Sequence, residues 1–369
     1  MRLRTRVAVW GAKRVAKRKL KQNRDKLIIA GAVAGAAIAG GLVVRRLMMA
    51  DLTDQVVLIT GGSRGLGFLL AGEFARQGCR VVICARDESE LERARLDLEG
   101  QGADVLAVQC DVTDPSEVER MVRRAGKRFG RVDILVNNAG TIQVGPVESM
   151  TAQDFEESMR LMFWGVLYPT LTVLPDMLER KGGRIVNITS IGGKVSMPHL
   201  LPYNCAKFAA VGLSEGLRAE LKRDGIRVTT IVPGLMRTGS FLNAFFKGRQ
   251  EKEFRWFSLG AALPLISMDA RRAARQIVHA TRRGQAERVL SVPATALAEF
   301  HGRFPGLTAD LLGLANRLML PVAEGGRPEL ARGMEIRARA RSSVLGAFTR
   351  MGLKAAERLN QYPGPAAVA

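Results

Sequence analysis

The sequence predicts an α/β protein built on a doubly wound parallel sheet. From Gln55 onward, short β-branched runs alternate with amphipathic helical stretches, which is the pattern of a parallel sheet covered by helices on both faces. A glycine-rich turn follows the first of these runs, where folds of this class hold a pyrophosphate. The chain has 369 residues and 47% of them are hydrophobic, so it can bury a large core.

Seven runs are predicted to be strands of this sheet. They span residues 56–60, 80–85, 105–110, 132–137, 184–189, 227–232 and 288–292. A helix is predicted over 269–283. The chain is therefore divided into a basic tail (1–26), a candidate transmembrane or anchor segment (27–49), a main domain (52–292) and a helical C-terminal extension (293–369).

The N-terminal residues carry much of the charge. The net charge is +21, and residues 1–50 hold thirteen Lys and Arg against Asp25 alone. Residues 27–44 are apolar without interruption and as a helix would span about 27 Å, close to the roughly 30 Å of a bilayer's hydrocarbon core. We expect membrane association through residues 27–49, and a cleaved signal or an organelle-targeting peptide is the alternative.

The charges flanking the apolar segment leave its topology open. The positive-inside tendency places residues 1–26 in the cytoplasm and the rest outside. Alternatively, the segment inserts the other way or does not fully cross the membrane, and we expect a membrane-associated protein whose main domain faces the cytosol. The tail has only Trp10 with which to stack bases, so anionic lipid is favoured over nucleic acid as its partner.

The cysteines and histidines predict neither disulfides nor a metal site. The four cysteines share no C-x-x-C spacing and are expected to be reduced thiols: Cys79, Cys84, Cys110 and Cys205. The three histidines do not pair at metal-ligand spacing with another His or Cys: His199, His279 and His301. We predict no metal.

The glycine turn predicts a phosphate cradle. Gly61, Gly65 and Gly67 allow a tight turn and a close approach of the backbone to a pyrophosphate at the N-terminus of the helix that starts near Leu66. No Gly-Lys-Ser/Thr ending follows, which argues against a phosphoryl-transfer P-loop.

Tyr203 and Lys207 lie four residues apart, with Ser190 thirteen residues upstream of the tyrosine. On a helix, residues at this spacing point the same way, which puts an ammonium beside a phenol. A nearby cation favours the phenolate and lowers a pKa that is otherwise about 10. The pair therefore predicts a tyrosine that serves as an acid and base.

Together these motifs resemble the short-chain dehydrogenase/reductase family, and the resemblance covers residues 52–292. The matching residues follow the family's order: Thr60-Gly61-x-x-x-Gly65-x-Gly67, Asp111, Asn137-Asn138-Ala139-Gly140, Ser190, Tyr203-x-x-x-Lys207, and Pro233-Gly234 with Thr238. The resemblance implies a Rossmann fold, a homo-oligomer, and hydride transfer between a nicotinamide and a carbonyl or alcohol.

The resemblance also implies residue roles. Tyr203 would protonate the alkoxide, Ser190 would polarise the carbonyl oxygen, and Lys207 would lower the tyrosine pKa and hold the nicotinamide ribose. The residues expected to bind the cofactor are Gly61, Ser63, Arg64, Gly65, Leu66, Gly67, Arg86, Asp111, Val112, Asn138, Ala139, Gly140, Tyr203, Lys207, Pro233, Gly234 and Thr238.

Two arginines predict NADP in preference to NAD. An acidic residue after the second strand would bond a ribose 2′-hydroxyl, whereas an arginine there accommodates a 2′-phosphate. This chain has Ala85 followed by Arg86, and a second arginine, Arg64, in the glycine turn.

One position departs from the family pattern. Members often carry an asparagine three residues before a glycine like Gly165, and that asparagine holds a water linking the lysine to solvent. This chain has Met162 there, which cannot bond as an amide does. The alternative function is therefore a nucleotide-binding module with impaired catalysis, acting in membrane or protein interaction.

The segment after Thr238 predicts a hydrophobic substrate. Its aromatic residues are expected to form a lid over the substrate, or alternatively a core or subunit contact: Phe241, Phe245, Phe246, Phe254, Trp256 and Phe257. His199 is interpreted as a loop residue near this pocket. Residues 293–321 predict an apolar-faced helix, and residues 346–360 a partly helical stretch followed by disorder.

Overall fold

The central sheet has seven parallel strands, and every predicted strand is present within two residues at either end. A computed structural model describes residues 49–263, 266–320, 327–339 and 356–361. Its strands are β1 (Val56–Thr60), β2 (Arg80–Ala85), β3 (Val105–Gln109), β4 (Ile134–Asn137), β5 (Gln143–Val144), β6 (Gly183–Ile188), β7 (Ile226–Pro233), β8 (Met236–Arg237), β9 (Phe245–Gly248), β10 (Met268–Asp269), β11 (Glu287–Leu290) and β12 (Arg327–Arg332). The seven-stranded sheet has the order β11-β7-β6-β4-β1-β2-β3.

Helices cover both faces of this sheet, as predicted. They are α1 (Gly65–Ala75), α2 (Glu88–Gly100), α3 (Pro115–Phe129), α4 (Ala152–Glu179), α5 (Leu201–Leu221), α6 (Ser240–Asn243), α7 (Gln250–Ala262), α8 (Ala270–Arg283), α9 (Val292–Arg303), α10 (Pro305–Met319) and α11 (Gly333–Arg339). Helices α3, α4 and α5 pack together, and α1 packs against α2 and α8. All five residues of β1 are buried, which explains why the four before Thr60 are a continuous apolar run.

The strand order reverses between β1 and β4. From β1 the sheet continues to β2 and β3, and from β4 it continues in the other direction to β6 and β7. The connections therefore leave in opposite directions and open a crevice at the carboxyl ends of the two strands. The glycine turn after β1 and the Asn138-Ala139-Gly140 segment after β4 meet in this crevice.

Helix α3 shows how the local sequence determines where a helix begins and ends. The Asp114 carboxylate accepts hydrogen bonds from the backbone N–H groups of Ser116 and Glu117, and Pro115 occupies the first turn, where no N–H is needed. The helix ends at Gly130, whose φ of 90° favours glycine.

The extension differs from its prediction. Instead of one helix over 293–321 there are two, α9 and α10, separated at Phe304. Phe304 precedes Pro305, which disfavours a helical conformation for it, and its φ and ψ are −133° and 62°. Within the predicted helical stretch 346–360, residues 356–358 form a helical turn, and residues 340–355 and 362–369 lie outside the described ranges.

The predicted anchor cannot be compared with the structure, because residues 1–48 lie outside the described ranges. Within those ranges, α4 alone is long and apolar enough to cross a membrane. It packs against α3 and α5 as part of the domain.

Candidate active site

One cavity gathers the residues predicted to form the site. It has a volume of about 1050 Å³ and lies at the carboxyl ends of β1, β4, β6 and β7. Its walls include Gly61, Ser63, Arg64, Gly65, Leu66, Arg86, Asp111, Val112, Asn138, Ala139, Gly140, Ser190, Tyr203, Lys207, Pro233, Gly234 and Thr238. Gly67 is the one predicted site residue that does not line the cavity.

The glycine turn has the close packing that its sequence predicts. Gly61 and Gly65 have φ values of 63° and 59°, which a residue with a Cβ rarely adopts. A Cβ on Gly67 would lie 2.1 Å from the carbonyl oxygen of Gly61. Gly67 therefore packs directly against the backbone of Gly61, where there is no room for a side chain. The turn leads into the N-terminus of α1, where helix N–H groups attract anions.

Asn138 and Thr60 hold the turn in place. The Asn138 side-chain amide donates to the carbonyl oxygens of Thr60 and Gly61, both at 3.0 Å. The Thr60 hydroxyl in turn accepts from the backbone N–H groups of Asn138 and Ala139, at 2.9 and 3.1 Å. These hydrogen bonds connect the ends of strands β1 and β4 at the crevice. The side chain of Asn138 thus holds the backbone of the glycine turn in position.

Ser190 and the Tyr203–Lys207 pair meet across the cavity. Ser190 follows β6, and its hydroxyl oxygen accepts from the backbone N–H of Gly192 at 3.0 Å and hydrogen-bonds Tyr203. Lys207 lies one turn after Tyr203 on α5, with its Nζ 5.8 Å from the centre of the tyrosine ring. The ammonium donates to the carbonyl oxygen of Ile188 at 2.9 Å.

The pKa of Tyr203 differs from its prediction. Burial raises it to about 12, because the ionised phenolate loses hydration, and the Ser190 hydrogen bond acts in the opposite direction with less effect. Burial also lowers the pKa of Lys207 to about 8. In this structure, desolvation therefore outweighs the lowering of the tyrosine pKa expected from Lys207.

Met162 borders the same space as Lys207. It is 1% exposed and belongs to a π-helical turn, Arg160–Trp164, within α4. A Cβ on Gly140 would lie 3.7 Å from the Met162 sulfur and 3.8 Å from the Lys207 Nζ, so both atoms border the same space. A thioether thus occupies the position at which the family pattern has an amide.

The two arginines predicted to select the cofactor have acidic neighbours. Arg64 donates to Glu90 at 2.7 Å, and the Ser63 hydroxyl lies 3.4 Å from the other oxygen of the same carboxylate. Arg86 is 3.9 Å from Asp111, and its side chain is 67% exposed. Glu90 was missed in the sequence, where it is one of several acidic residues in the helical segment after Arg86.

The predicted lid divides into a core and a cavity wall. Phe241, Phe246 and Phe254 are buried in a cluster with residues such as Ile336, as the core alternative predicted. Phe257 belongs to this cluster and also lines the cavity, together with Phe245 and Trp256.

His199 has a structural role outside the cavity wall. Its Nδ1 lies 2.8 Å from a carboxylate oxygen of Glu253, a side chain that is fully buried in α7. The Trp256 indole N–H donates to the other oxygen at 2.6 Å. This network ties α7 to the loop before Tyr203, and the sequence, in which 54 residues separate His199 and Glu253, gave no sign of it.

The extension borders the cavity as well. Leu297 of α9 and Leu312, Ala315 and Met319 of α10 line it. The same helices and the residue between them, Phe304, carry exposed apolar side chains: Phe300, Phe304, Leu307, Leu311, Leu314 and Leu318. Helix α10 is thus apolar both towards the cavity and towards solvent.

The four cysteines, all in the described ranges, form no disulfide. The described residues also contain no group of three or more His, Cys, Asp or Glu that could hold a metal ion.

Comparison with known proteins identifies the class of protein that this fold and cavity define. The family model described as short chain dehydrogenase matches residues 55–245. The chain therefore belongs to the short-chain dehydrogenase/reductase family. It is a nucleotide-binding oxidoreductase that acts on CH–OH or C=O groups with NAD or NADP.

Particular relatives are similar over the same domain. The granaticin polyketide synthase putative ketoacyl reductase 1 of Streptomyces violaceoruber is 40% identical over 185 residues, which are 50% of this chain and 68% of that protein. A variant of actinorhodin polyketide ketoreductase with NADPH is 30% identical, with a TM-score of 0.56 over 66% of this chain and 97% of that one. A Burkholderia phymatum short chain dehydrogenase/reductase in complex with NAD is 25% identical, with a TM-score of 0.65 over 70% of this chain and 96% of that one.

Proposed function

We propose that the chain is an NADP-dependent oxidoreductase of a hydrophobic carbonyl or alcohol, such as a lipid-, steroid- or retinoid-like compound, with Tyr203 as the acid and base. One observation carries the proposal. Ser190, Tyr203 and Lys207 line the same cavity as the glycine turn, so groups that move a proton face the place where a nicotinamide cofactor would bind.

Ser190, Tyr203 and Lys207 each have a separate part in the proton transfer. A bound nicotinamide supplies or accepts the hydride. In the direction of reduction, the phenol of Tyr203 donates a proton to the substrate oxygen, and its raised pKa keeps it protonated until then. Ser190 hydrogen-bonds that oxygen, and the ammonium of Lys207 stabilises the phenolate that remains.

The cradle fits a dinucleotide, and its charges favour NADP. Gly61 and Gly65 carry no side chains of their own to cover the backbone of the turn, which lies at a helix N-terminus and suits a pyrophosphate. Arg64 and Arg86 both line the cavity, and their guanidinium groups would bind a 2′-phosphate. The actinorhodin relative was crystallised with NADPH and the Burkholderia relative with NAD, so the preference rests on these arginines.

The surroundings of the cavity support a hydrophobic substrate and an enzyme at a membrane. Phe245, Trp256 and Phe257 form part of the wall, and α10 adds Leu312 and Met319. The exposed apolar side chains of α9 and α10 suit an interfacial contact beside this opening. We propose that the protein is membrane-associated, through residues 27–49 and this surface, with its catalytic domain facing the cytosol.

We further propose a homo-oligomer that uses the outer faces of α4 and α5. Trp164 and Leu171 on α4 and Phe208 on α5 are between 41% and 51% exposed, so these faces offer large apolar side chains to a subunit contact. No nucleic acid is expected as a partner.

The test is NADPH oxidation by the full chain in detergent with a series of hydrophobic ketones, using Tyr203→Phe as the matched control. This substitution removes the hydroxyl group that donates the proton and leaves the aromatic ring in place. We therefore expect activity to fall at least about 100-fold with little change in NADPH affinity. Equal activity in the two proteins would refute the role of Tyr203.

Met162 favours the second candidate function, a nucleotide-binding module with impaired catalysis. Its thioether borders the same space as the Lys207 ammonium and cannot hold the water that an amide would hold. Tight NADPH binding without turnover of any ketone would support this candidate over the first.

A further inference from the structure

The C-terminal segment Ala356–Gln361, here called the C-terminal strap, lies directly on the glycine turn. The backbone N–H of Gly65 donates to the carbonyl oxygen of Leu359 at 2.8 Å. The Asn360 side-chain amide donates to the carbonyl oxygens of Ser63 and Glu90, at 2.8 and 3.0 Å. Nearly 300 residues of chain thus separate the turn from the segment that covers it.

Gln361 extends the strap across the crevice. Its side-chain oxygen accepts from the backbone N–H of Gly239, and its backbone carbonyl oxygen accepts from Asn243 at 3.2 Å, both beyond the end of β7. Its side-chain nitrogen lies against the turn, 2.7 Å from where a Cβ of Gly65 would be. Gln361 therefore connects the turn after β1 with the loop after β7.

This location is the one that the fold offers to a pyrophosphate. In a cradle of this kind, the second glycine lets the backbone approach the phosphates, and the helix N-terminus supplies N–H donors to their oxygens. Here the side chain of Gln361 fills the space in front of Gly65, and the Leu359 carbonyl oxygen accepts from its N–H as a phosphate oxygen would. A dinucleotide and the strap cannot both occupy this space.

The strap is held by two buried apolar side chains and by hydrogen bonds. Ala356 is fully buried in the aromatic cluster, and a Cβ on Gly239 would lie 2.4 Å from its Cβ. Beyond it, Leu359 is 4% exposed, and the remaining contacts are hydrogen bonds of the kind that contribute about 1 kcal/mol each. Release of residues 359–361 therefore does not require Ala356 to leave the cluster.

We propose that the C-terminal strap competes with the cofactor for the glycine turn, which makes it an internal inhibitor of dinucleotide binding. This inference rests on the proposed function in one respect, namely that a nicotinamide dinucleotide binds at the turn. Cofactor binding then releases residues 359–361, and weakening the strap strengthens cofactor binding.

The first test measures the Kd for NADPH by its fluorescence in full-length variants. Gln361→Ala removes the bond to Gly239 and should lower the Kd about fivefold, and Asn360→Ala with Gln361→Ala about tenfold or more. The matched control is Glu357→Ala, an exposed residue of the same segment that leaves these contacts in place and should keep the wild-type Kd. A Kd that rises or stays unchanged in the strap variants would overturn the proposal, a rise meaning that the strap is a wall of the cofactor site.

The second test needs no variant and does not depend on catalysis. Amide hydrogen exchange in residues 356–361 should become faster when the wild-type protein is saturated with NADPH, because the strap leaves the turn. Slower or unchanged exchange would contradict competition. If neither the wild-type protein nor the strap variants bind NADPH or NADH, the proposed function itself fails. If the wild-type protein and the strap variants bind NADPH with equal affinity, only the strap proposal is refuted.

Discussion

Replacing Glu90 by Gln should tighten the binding of NADPH and leave that of NADH unchanged. Arg64 donates to the Glu90 carboxylate at 2.7 Å, with the two side chains 36% and 19% exposed. An ion pair this accessible to solvent is worth about 0.5–1 kcal/mol, so a neutral partner frees Arg64 for a 2′-phosphate at roughly that gain. The expected change is a two- to fivefold lower Kd for NADPH.

The assay is a fluorescence titration of both reduced cofactors, in wild type and variant, at low and high salt. The matched control is Glu88→Gln, which removes the same charge from the same turn of α2 but from an exposed side chain that does not line the cavity. The gain for NADPH should shrink as salt screens the exposed charges. An equal gain for NADH, or an equal gain in the control, would refute the assignment of Arg64 to the 2′-phosphate.

Three further predictions concern cofactor charge, the proton relay and pH. Arg86→Asp should raise the Kd for NADPH about tenfold or more and shift the preference towards NADH, and an unchanged ratio would count against Arg86. Met162→Asn should raise kcat severalfold in steady-state assays if the missing amide limits proton transfer, and unchanged turnover would mean that it does not. Burial lowers the pKa of Lys207 to about 8, so kcat/KM for reduction should fall as pH rises through that value and the ammonium is lost; a profile that is flat to pH 10 would contradict this.

The strands of the main sheet could be predicted because each carries its own local signal. A strand buried on both faces must be a continuous apolar run, and β1 and β2 begin and end where their runs do. The three-stranded sheet of β5, β9 and β12 has no such signal. Its first strand has only two residues, and pairing with β9, about 100 residues along the chain, supplies what local preference lacks.

The site was predictable in its members and less so in its electrostatics. All but Gly67 of the predicted site residues share one cavity, because the motifs follow strands whose carboxyl ends meet at one edge. The pKa of Tyr203 came out in the opposite direction to the prediction, since the sequence identifies the neighbouring lysine but not the depth of burial. Glu90 and Gln361 reach the site through tertiary contacts alone, and nothing in their local sequence marks them.

If the enzyme works at a membrane, as proposed, the apolar side chains that α10 presents to the cavity and to solvent would have a kinetic consequence. A substrate dissolved in a bilayer would meet the opening without passing through water, so its concentration would be a mole fraction within the lipid. Adding empty vesicles at a fixed amount of substrate would then slow the reaction by dilution in two dimensions, even though nothing in the aqueous phase had changed. An affinity measured in detergent micelles would depend on the amount of detergent in the same way.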